Sequence, residues 1–250
     1  SAVMRSVRLY HGDKARNAKM DALYRRFIRA GDLVFDIGAH VGDRVSSFRR
    51  LGARVVAVEP QPAPARALAI IHGRDREVRL VRAAASDREG ELTLKLNTSN
   101  PTVSTASADF IAAADGARGW EGQVWDAELR VATTTLDALI AAHGAPAFIK
   151  IDVEGFEDRV LAGLSAPAPA LSFEFTTIAR EVALRALARL AGLDGSYRFN
   201  LSLGESMDFF SPDWMGAAEM AELLARLPHE ANSGDVYAER EQGSRKDGLE

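Results

Sequence analysis

The run Leu33-Val34-Phe35-Asp36-Ile37 passes straight into Gly38-Ala39-His40-Val41-Gly42, and no other stretch restricts the fold so tightly. A short apolar run bounded by turn residues reads as a buried strand. The two glycines let the chain turn sharply and expose bare main chain, and residues 42–51 then read as a helix closed by Gly52. Strand, glycine turn and helix in that order build doubly wound sheets, which bind ligands at their strand ends. The loop departs from the dinucleotide fingerprint Gly-x-Gly-x-x-Gly. It has Gly-x-x-x-Gly, with the Asp36 carboxylate two residues before the first glycine.

That departure has a charge argument behind it. A dinucleotide loop accepts a pyrophosphate, whereas S-adenosyl-L-methionine has no phosphate and carries an amino group and a sulfonium. Asp36 suits such a cation. Glu59 ends the second strand, where an acid can take both ribose hydroxyls. Glycines and acids in register favour a cofactor site over a purely structural turn. His40 reads either as a cofactor contact or as an exposed loop imidazole.

Short apolar runs alternate with helical patterns along the rest of the chain. The alternation predicts an α/β fold: a doubly wound, mostly parallel sheet of about seven strands with helices on both faces. Helices are expected over 16–29, 42–51, 62–72, 136–142, 156–164, 178–193 and 212–227. Strands are expected over 33–37, 54–59, 78–83, 91–97, 147–151, 170–175, 197–201 and 235–238, with 91–97 exposed and antiparallel. The final two strands, joined by a helix, are expected in an antiparallel edge arrangement, with the last strand antiparallel. Residues 97–122 are the least periodic, and a connection so long is functional or mobile. The reading is therefore one domain over 1–240, with an N-terminal helix and an irregular insertion near 97–130. A disordered tail is expected over 241–250.

The formal net charge of −4 gives no electrostatic reason to expect nucleic acid. Basic residues cluster early, at Arg5, Arg8, Lys14, Arg16, Lys19, Arg25, Arg26 and Arg29, and read as a solvated helix face rather than an anion site. The chain has no cysteine, which excludes disulfides, thiolate nucleophiles and Cys-ligated zinc. No signal peptide shows in the first ten residues and no run approaches membrane-span length, so a cytoplasmic protein free of membrane is expected.

The motifs Asp36-x-Gly-Ala-His-x-Gly42, Val58-Glu59-Pro60, Ala84-Ala85-Ser86-Asp87, Thr135-Leu136-Asp137 and Ile149-Lys150-Ile151-Asp152-Val153-Glu154-Gly155-Phe156-Glu157 together resemble the FkbM-type methyltransferases. The resemblance covers residues 33–175 and is most specific in the Lys150–Glu157 motif. It implies a Rossmann-like class I methyltransferase fold and S-adenosyl-L-methionine as cofactor. It implies O-methylation of a hydroxyl on a small or glycosylated metabolite, such as a sugar, lipid or polyketide-like compound. Residue by residue, it implies Asp36, Gly38 and Gly42 at the methionine end, and Glu59 at the ribose with Pro60 and Gln61 beside it. Ala84 and Ala85 are implied near the adenine. The family often has asparagine where this chain has His40. Residues 97–130 and those after 175 do not follow the family pattern, so acceptor choice does not carry over.

Lys150, Asp152 and Glu154 have period-two spacing and are expected on one side of their strand, opposite Ile149, Ile151 and Val153. Three charges at the end of a central parallel strand are unexpected for a purely structural one. Methyl transfer needs alignment, water exclusion and, for a hydroxyl, proton removal. Asp152 or Glu154 reads as the acceptor-side group. Lys150 either holds the carboxylates ionised or, if desolvated, acts as base. The competing readings are a Lys–carboxylate pair that merely fixes strand to helix, and a helix start at Glu154-Gly155.

Asp152, Glu154 and Glu174 could supply oxygen ligands to a divalent metal, but no spacing demands one and none is assigned. His72, His143 and His229 read as surface or satisfied histidines. Phe110, Trp120 and Trp125 read either as a lid or as anchors for the irregular segment. Phe209, Phe210 and Trp214 read as an acceptor-pocket wall or a homodimer contact. The expected partner is a small-molecule acceptor. A cofactor-binding protein without catalysis and a nicotinamide oxidoreductase are the alternatives, the latter opposed by the missing third glycine.

Overall fold

The computed structural model describes residues 13–241, so Arg5, Arg8 and all of the expected tail over 241–250 except Glu241 lie outside the described residues. The main sheet has seven strands in the order β3-β2-β1-β7-β8-β10-β9. They are β1 (Leu33–Ile37), β2 (Arg54–Val58), β3 (Val78–Val81), β7 (Phe148–Ile151), β8 (Ala170–Thr176), β9 (Tyr197–Leu203) and β10 (Ser233–Arg240). Strands β3, β2, β1, β7 and β8 run parallel, and β10 is antiparallel to both β8 and β9. The last strand is thus antiparallel, as expected, and with β9 it forms an antiparallel pair at this edge of the sheet. It lies inside β9, which takes the edge. The strand order reverses between β1 and β7, and a doubly wound sheet opens its ligand crevice at that switch point.

Alternation along each strand builds two cores. Phe35, Ile37, Ile149 and Ile151 face one layer, which holds Leu136, Leu161, Leu187 and Leu190. Val34 and Phe148 face the other, with Tyr24, Phe27, Phe48 and Tyr237. The helices that cover the sheet include α1 (Lys14–Tyr24), α2 (Asp43–Arg50), α3 (Pro62–His72), α5 (Leu136–His143), α6 (Glu157–Ala162), α7 (Arg180–Leu193) and α8 (Ala217–Arg226). Helix α1 ends five residues before the expected boundary. Its backbone tightens, with Arg26 N donating to Leu23 O and Phe27 N to Tyr24 O, and this drops Phe27 and Ile28 into the core. In the early basic cluster, Arg16, Lys19 and Arg26 pair with Asp43, Asp208 and Glu239.

The segment expected to be irregular is largely ordered. Strand β6 (Ala127–Thr134) pairs antiparallel with β5 (Gly90–Leu96) and parallel with β4 (Ala84–Ala85), making a separate three-stranded sheet. Ala84 and Ala85 were expected just beyond a longer third strand; they belong to this second sheet. Between β5 and β6 lies α4 (Ala108–Ala114), capped by the Ser107 hydroxyl, which accepts from Phe110 N. Phe110, Trp120 and Trp125 pack together with Val103 and Ala179, and Trp125 Nε1 donates to Val103 O at 2.9 Å. These aromatics anchor the segment and do not line the cavity described below. Phe209 and Trp214 are likewise taken up by packing on Phe27, while Phe210 is half exposed. Among the described residues no helix is long and apolar enough to cross a membrane.

Candidate active site

A cavity of about 230 Å³ opens at the carboxyl ends of β1, β2, β7 and β8. Its floor is the β1 turn. Gly38 sits at φ +79, and a Cβ built there would lie 1.8 Å from Asp152 O, so only glycine lets the β1 and β7 ends come this close. Gly38 N and Ala39 N donate to Val58 O at 2.9 and 3.0 Å, and Asp152 N donates to Ile37 O at 3.0 Å. These bonds join three strand ends into one rim.

On that rim Glu59 is 3% exposed and is gripped by main chain. His40 N donates to Oε2 and Gln61 N to Oε1, each at 2.8 Å. Burial pushes its carboxyl up to about 7, against the opposing pull of these two amides. Each oxygen keeps lone-pair capacity toward the cavity. Pro60, Gln61, Ala84 and Ala85 line the wall beside it, and Gln61 Nε2 donates to Pro101 O at 3.1 Å. The His40 ring also lines the cavity, and its Nε2 is buried without a hydrogen bond. Burial lowers its pKa, so the imidazole is neutral at neutral pH.

Two expected cofactor residues lie outside this lining. Asp36 is fully buried on the helix-α1 face of the sheet, in register with Lys150, and neither carboxylate oxygen has a hydrogen-bond partner. Its nearest cation is Lys150 Nζ, at 3.4 Å. Gly42 begins α2 at φ +83 under Leu68 and His72, where a Cβ would meet Leu68 at 2.4 Å. Asp36 thus meets the cavity lining at Lys150, and Gly42 sets the start of α2. His72 is held by the Ser46 hydroxyl and Gly42 O.

Lys150 is 5% exposed and reaches three oxygens: Asp152 Oδ2 at 3.3 Å, Gly38 O at 3.3 Å and Asp36 Oδ1 at 3.4 Å. Burial alone would lower its pKa, but Asp152 and Asp36 outweigh it and the net shift is upward. A lysine held between two carboxylates favours its charged form, which suits the reading that Lys150 keeps carboxylates ionised. Burial pushes Asp152 up, but Lys150 pulls harder, so its carboxyl falls below the ordinary range and is ionised.

Strand geometry does not carry Glu154 into the cavity, because β7 ends at Ile151. Instead the chain turns, and Glu154 takes φ +53, a left-handed conformation that costs a side chain about 1–2 kcal/mol. Helix α6 begins only at Glu157, so Glu154-Gly155 is a turn and not a helix start. Glu154, Asp152 and Glu174 from β8 each offer an oxygen, all within 4.8 Å of one another. Burial first, and then the neighbouring Asp152 charge, raise both Glu154 and Glu174 well above ordinary carboxyls. The trio thus sets a carboxyl drawn toward its charged form by Lys150 beside two pushed toward their protonated forms. Three hard oxygen donors at that spacing are also a donor set that a divalent metal accepts.

The mouth holds residues that sequence reasoning missed. Arg44 is buried, and its guanidinium donates to Tyr24 Oη at 3.1 Å, Asp43 Oδ2 at 2.7 Å and Glu205 Oε2 at 3.2 Å. Arg16 adds bonds to Asp43 and Glu205 at 3.0 and 2.7 Å. Thr102 and Ser104 from the inserted segment line the opposite wall. Asp43 and Arg44 follow the glycine loop directly, and their position at a helix start was the available clue. Glu205 comes from a distant turn that carries none.

The protein-family model of the methyltransferase FkbM domain matches residues 36–225. Solved structures of similar shape include precorrin-6y C5,15-methyltransferase from Geobacter metallireducens, at 11% identity over 90% of this chain and 87% of that one, with a TM-score of 0.45. Another is a TehB-like SAM-dependent methyltransferase from Corynebacterium glutamicum, at 11% identity over 89% and 87%, with a TM-score of 0.43. A third is fibrillarin from Aeropyrum pernix with natively bound S-adenosyl-L-methionine, at 10% identity over 84% and 67%, with a TM-score of 0.40. No curated protein matches the chain. The family match runs from the first strand to the helix before the last strand, and the chain belongs to the FkbM methyltransferase family.

Proposed function

We propose that this protein transfers a methyl group from S-adenosyl-L-methionine to a hydroxyl of a small or glycosylated metabolite, such as a sugar, lipid or polyketide-like compound. The observation that carries the reading is the Asp152 carboxylate, paired with Lys150 at 3.3 Å, in the same cavity as the Gly38 turn and Glu59. The residues fit this cofactor better than a dinucleotide. Lys150 and Arg44, the lysine and arginine that line the cavity, are already held by carboxylates, which leaves a pyrophosphate no free lysine or arginine side chain in the lining to pair with.

When bound, the cofactor supplies an electrophilic methyl on a cationic sulfur. Glu59 accepts from the ribose hydroxyls, as acids ending this strand do in doubly wound sheets. Ala84 and Ala85, both buried, offer an apolar wall to the adenine. Asp152 orients the acceptor hydroxyl and takes its proton. A weak base suffices, because an oxygen gaining a carbon becomes a strong acid. Glu154 and Glu174, pushed toward their protonated forms, donate hydrogen bonds to acceptor oxygens when they carry a proton. Asp43, Arg44 and Glu205 screen the mouth from solvent. The reading includes no metal, and turnover is expected to survive chelation by EDTA.

The test is binding followed by turnover. S-adenosylhomocysteine should raise the melting temperature where NAD does not; the reverse ranking would favour the oxidoreductase. Radiolabelled S-adenosyl-L-methionine should then label members of a panel of methyl glycosides, inositols and hydroxylated macrolactones. Binding without transfer to any hydroxyl acceptor would favour a non-catalytic protein.

A further inference from the structure

Glu157 takes no part in the chemistry above, yet it is 2% exposed and its carboxylate points back along the chain. Oε1 accepts from Val153 N and Oε2 from Gly155 N, each at 3.0 Å. These two amides bracket Glu154. Glu154 sits at φ +53 and Gly155 at φ +84, so two successive residues hold left-handed backbone. Such a turn persists only where its surroundings over-determine it.

The inserted segment supplies the other half of the grip. Thr105 Oγ1 donates to Glu154 O at 2.6 Å. Thr105 is itself fixed, through N–H and C=O bonds to Lys95 of β5 at 2.9 and 2.8 Å. Next to it, Phe110 presses so close that a Cβ on Gly155 would lie 2.5 Å from its ring. The turn is clamped between a buried carboxylate of its own helix and a hydroxyl and ring from the insertion.

We propose that Glu157 is a positioning residue. Together with Thr105, it holds the turn over 153–155 in the one conformation that brings the Glu154 carboxyl into the group with Asp152 and Glu174. The proposal rests on the reading of this cavity as a methyl-transfer site with its acceptor end at that group. It gives the insertion a second task beyond lining the wall: its docking sets the geometry of an acceptor-side carboxyl through hydrogen bonds, without touching the carboxyl itself. Burial pushes the Glu157 carboxyl up to about 8 against the pull of the Val153 amide, yet both oxygens accept here, whereas a glutamine presents an NH₂ to one of the two amides. Glu157→Gln therefore breaks one bond of the pair while keeping shape.

Glu157→Gln and Thr105→Val test the proposal, each crystallised with and without S-adenosylhomocysteine and titrated with it by calorimetry. The expected result is that Glu154 leaves the left-handed region and its carboxyl separates from Asp152 and Glu174. Affinity for S-adenosylhomocysteine should stay within about threefold of the unaltered protein. At neutral pH the Glu154 ¹³Cδ resonance should move toward that of an exposed glutamate, which a merely structural loosening elsewhere would not produce. Thr105→Val changes no charge, so its shift reports geometry alone, and it decides the matter if Glu157→Gln fails to fold. Glu154 unmoved in both variants would overturn the proposal. So would a displacement accompanied by a larger loss of affinity, since Glu157 would then support the whole cavity. If the unaltered protein does not bind S-adenosylhomocysteine, the methyl-transfer reading fails, whereas the displacement of Glu154 is still read in the crystals without it.

Discussion

The two ends of the cavity are held by different means. At the glycine-loop end the main chain does the fixing: Gly38 and Ala39 bond Val58 O, and both Glu59 oxygens are taken by amides. At the β7–β8 end three carboxyls crowd together, Glu154 stands on strained backbone, and Glu174 Oε2 is buried without a hydrogen bond. Backbone bonds set by neighbouring strands make a fixed receptor for an invariant ligand. Crowded, mutually repelling carboxyls make a site whose charge state and shape answer to what enters. Lys150 touches both ends, through Gly38 O and Asp152.

The severest way to break this contrast is to remove the shared residue. Lys150→Met leaves Asp36 buried with no counter-charge and is expected to cost about 3–5 kcal/mol of stability, read by urea denaturation. A negligible loss would show the two ends to be independent of it. Next, Asp152→Asn should lower methyl transfer to an acceptor from the panel by about 100-fold while S-adenosylhomocysteine affinity stays nearly level. Equal losses in both would dissolve the division of labour.

A pH series sharpens the glycine-loop end. The Glu59 carboxyl is pushed up to about 7, so it is protonated below that pH and loses acceptor capacity toward ribose hydroxyls. Affinity for S-adenosylhomocysteine should rise with pH through this range and be about tenfold weaker at pH 6 than at pH 8. Glu59→Gln should flatten that dependence; a slope that survives it would point to another group. The smallest effect expected is a gain. Glu154→Gly relieves the left-handed strain and should stabilise the fold by about 1 kcal/mol in thermal unfolding, with cofactor affinity unchanged. Destabilisation would mean that the carboxyl trio is held by attraction rather than tolerated.

The sequence exposed the first end far better than the second, for physical reasons. Strand β1, the turn at Gly38 and the acid Glu59 depend on neighbours in the chain, so alternation and glycine spacing reveal them. The strand β6 also carried an alternating pattern, with Leu129 and Val131 between Glu128, Arg130 and Ala132. Its surroundings, rich in small and polar residues, masked it. The burial of Asp36 was not legible, because an acid at a strand end looks the same whether it faces the crevice or the adjoining layer. Nor was the reach of Glu205 to Arg44, which joins residues 161 positions apart. The two carboxylates that flank Lys150 were only half legible, since Asp152 shares its strand spacing and Asp36 lies on another strand. Glu154 reaches the cavity by a left-handed turn that period-two spacing cannot foresee.

The placement of β10 between β8 and β9 has a consequence for how the protein is made. Synthesis delivers β8 and β9 first, and neither pairs with the other in the finished sheet. Until residues 233–240 emerge, β8 presents an open edge with Leu171, Phe173 and Phe175 along one side. Unpaired apolar edges recruit other chains. Cells that slow or truncate translation late in this chain should therefore accumulate it as aggregate, although the cavity's own strands are already complete.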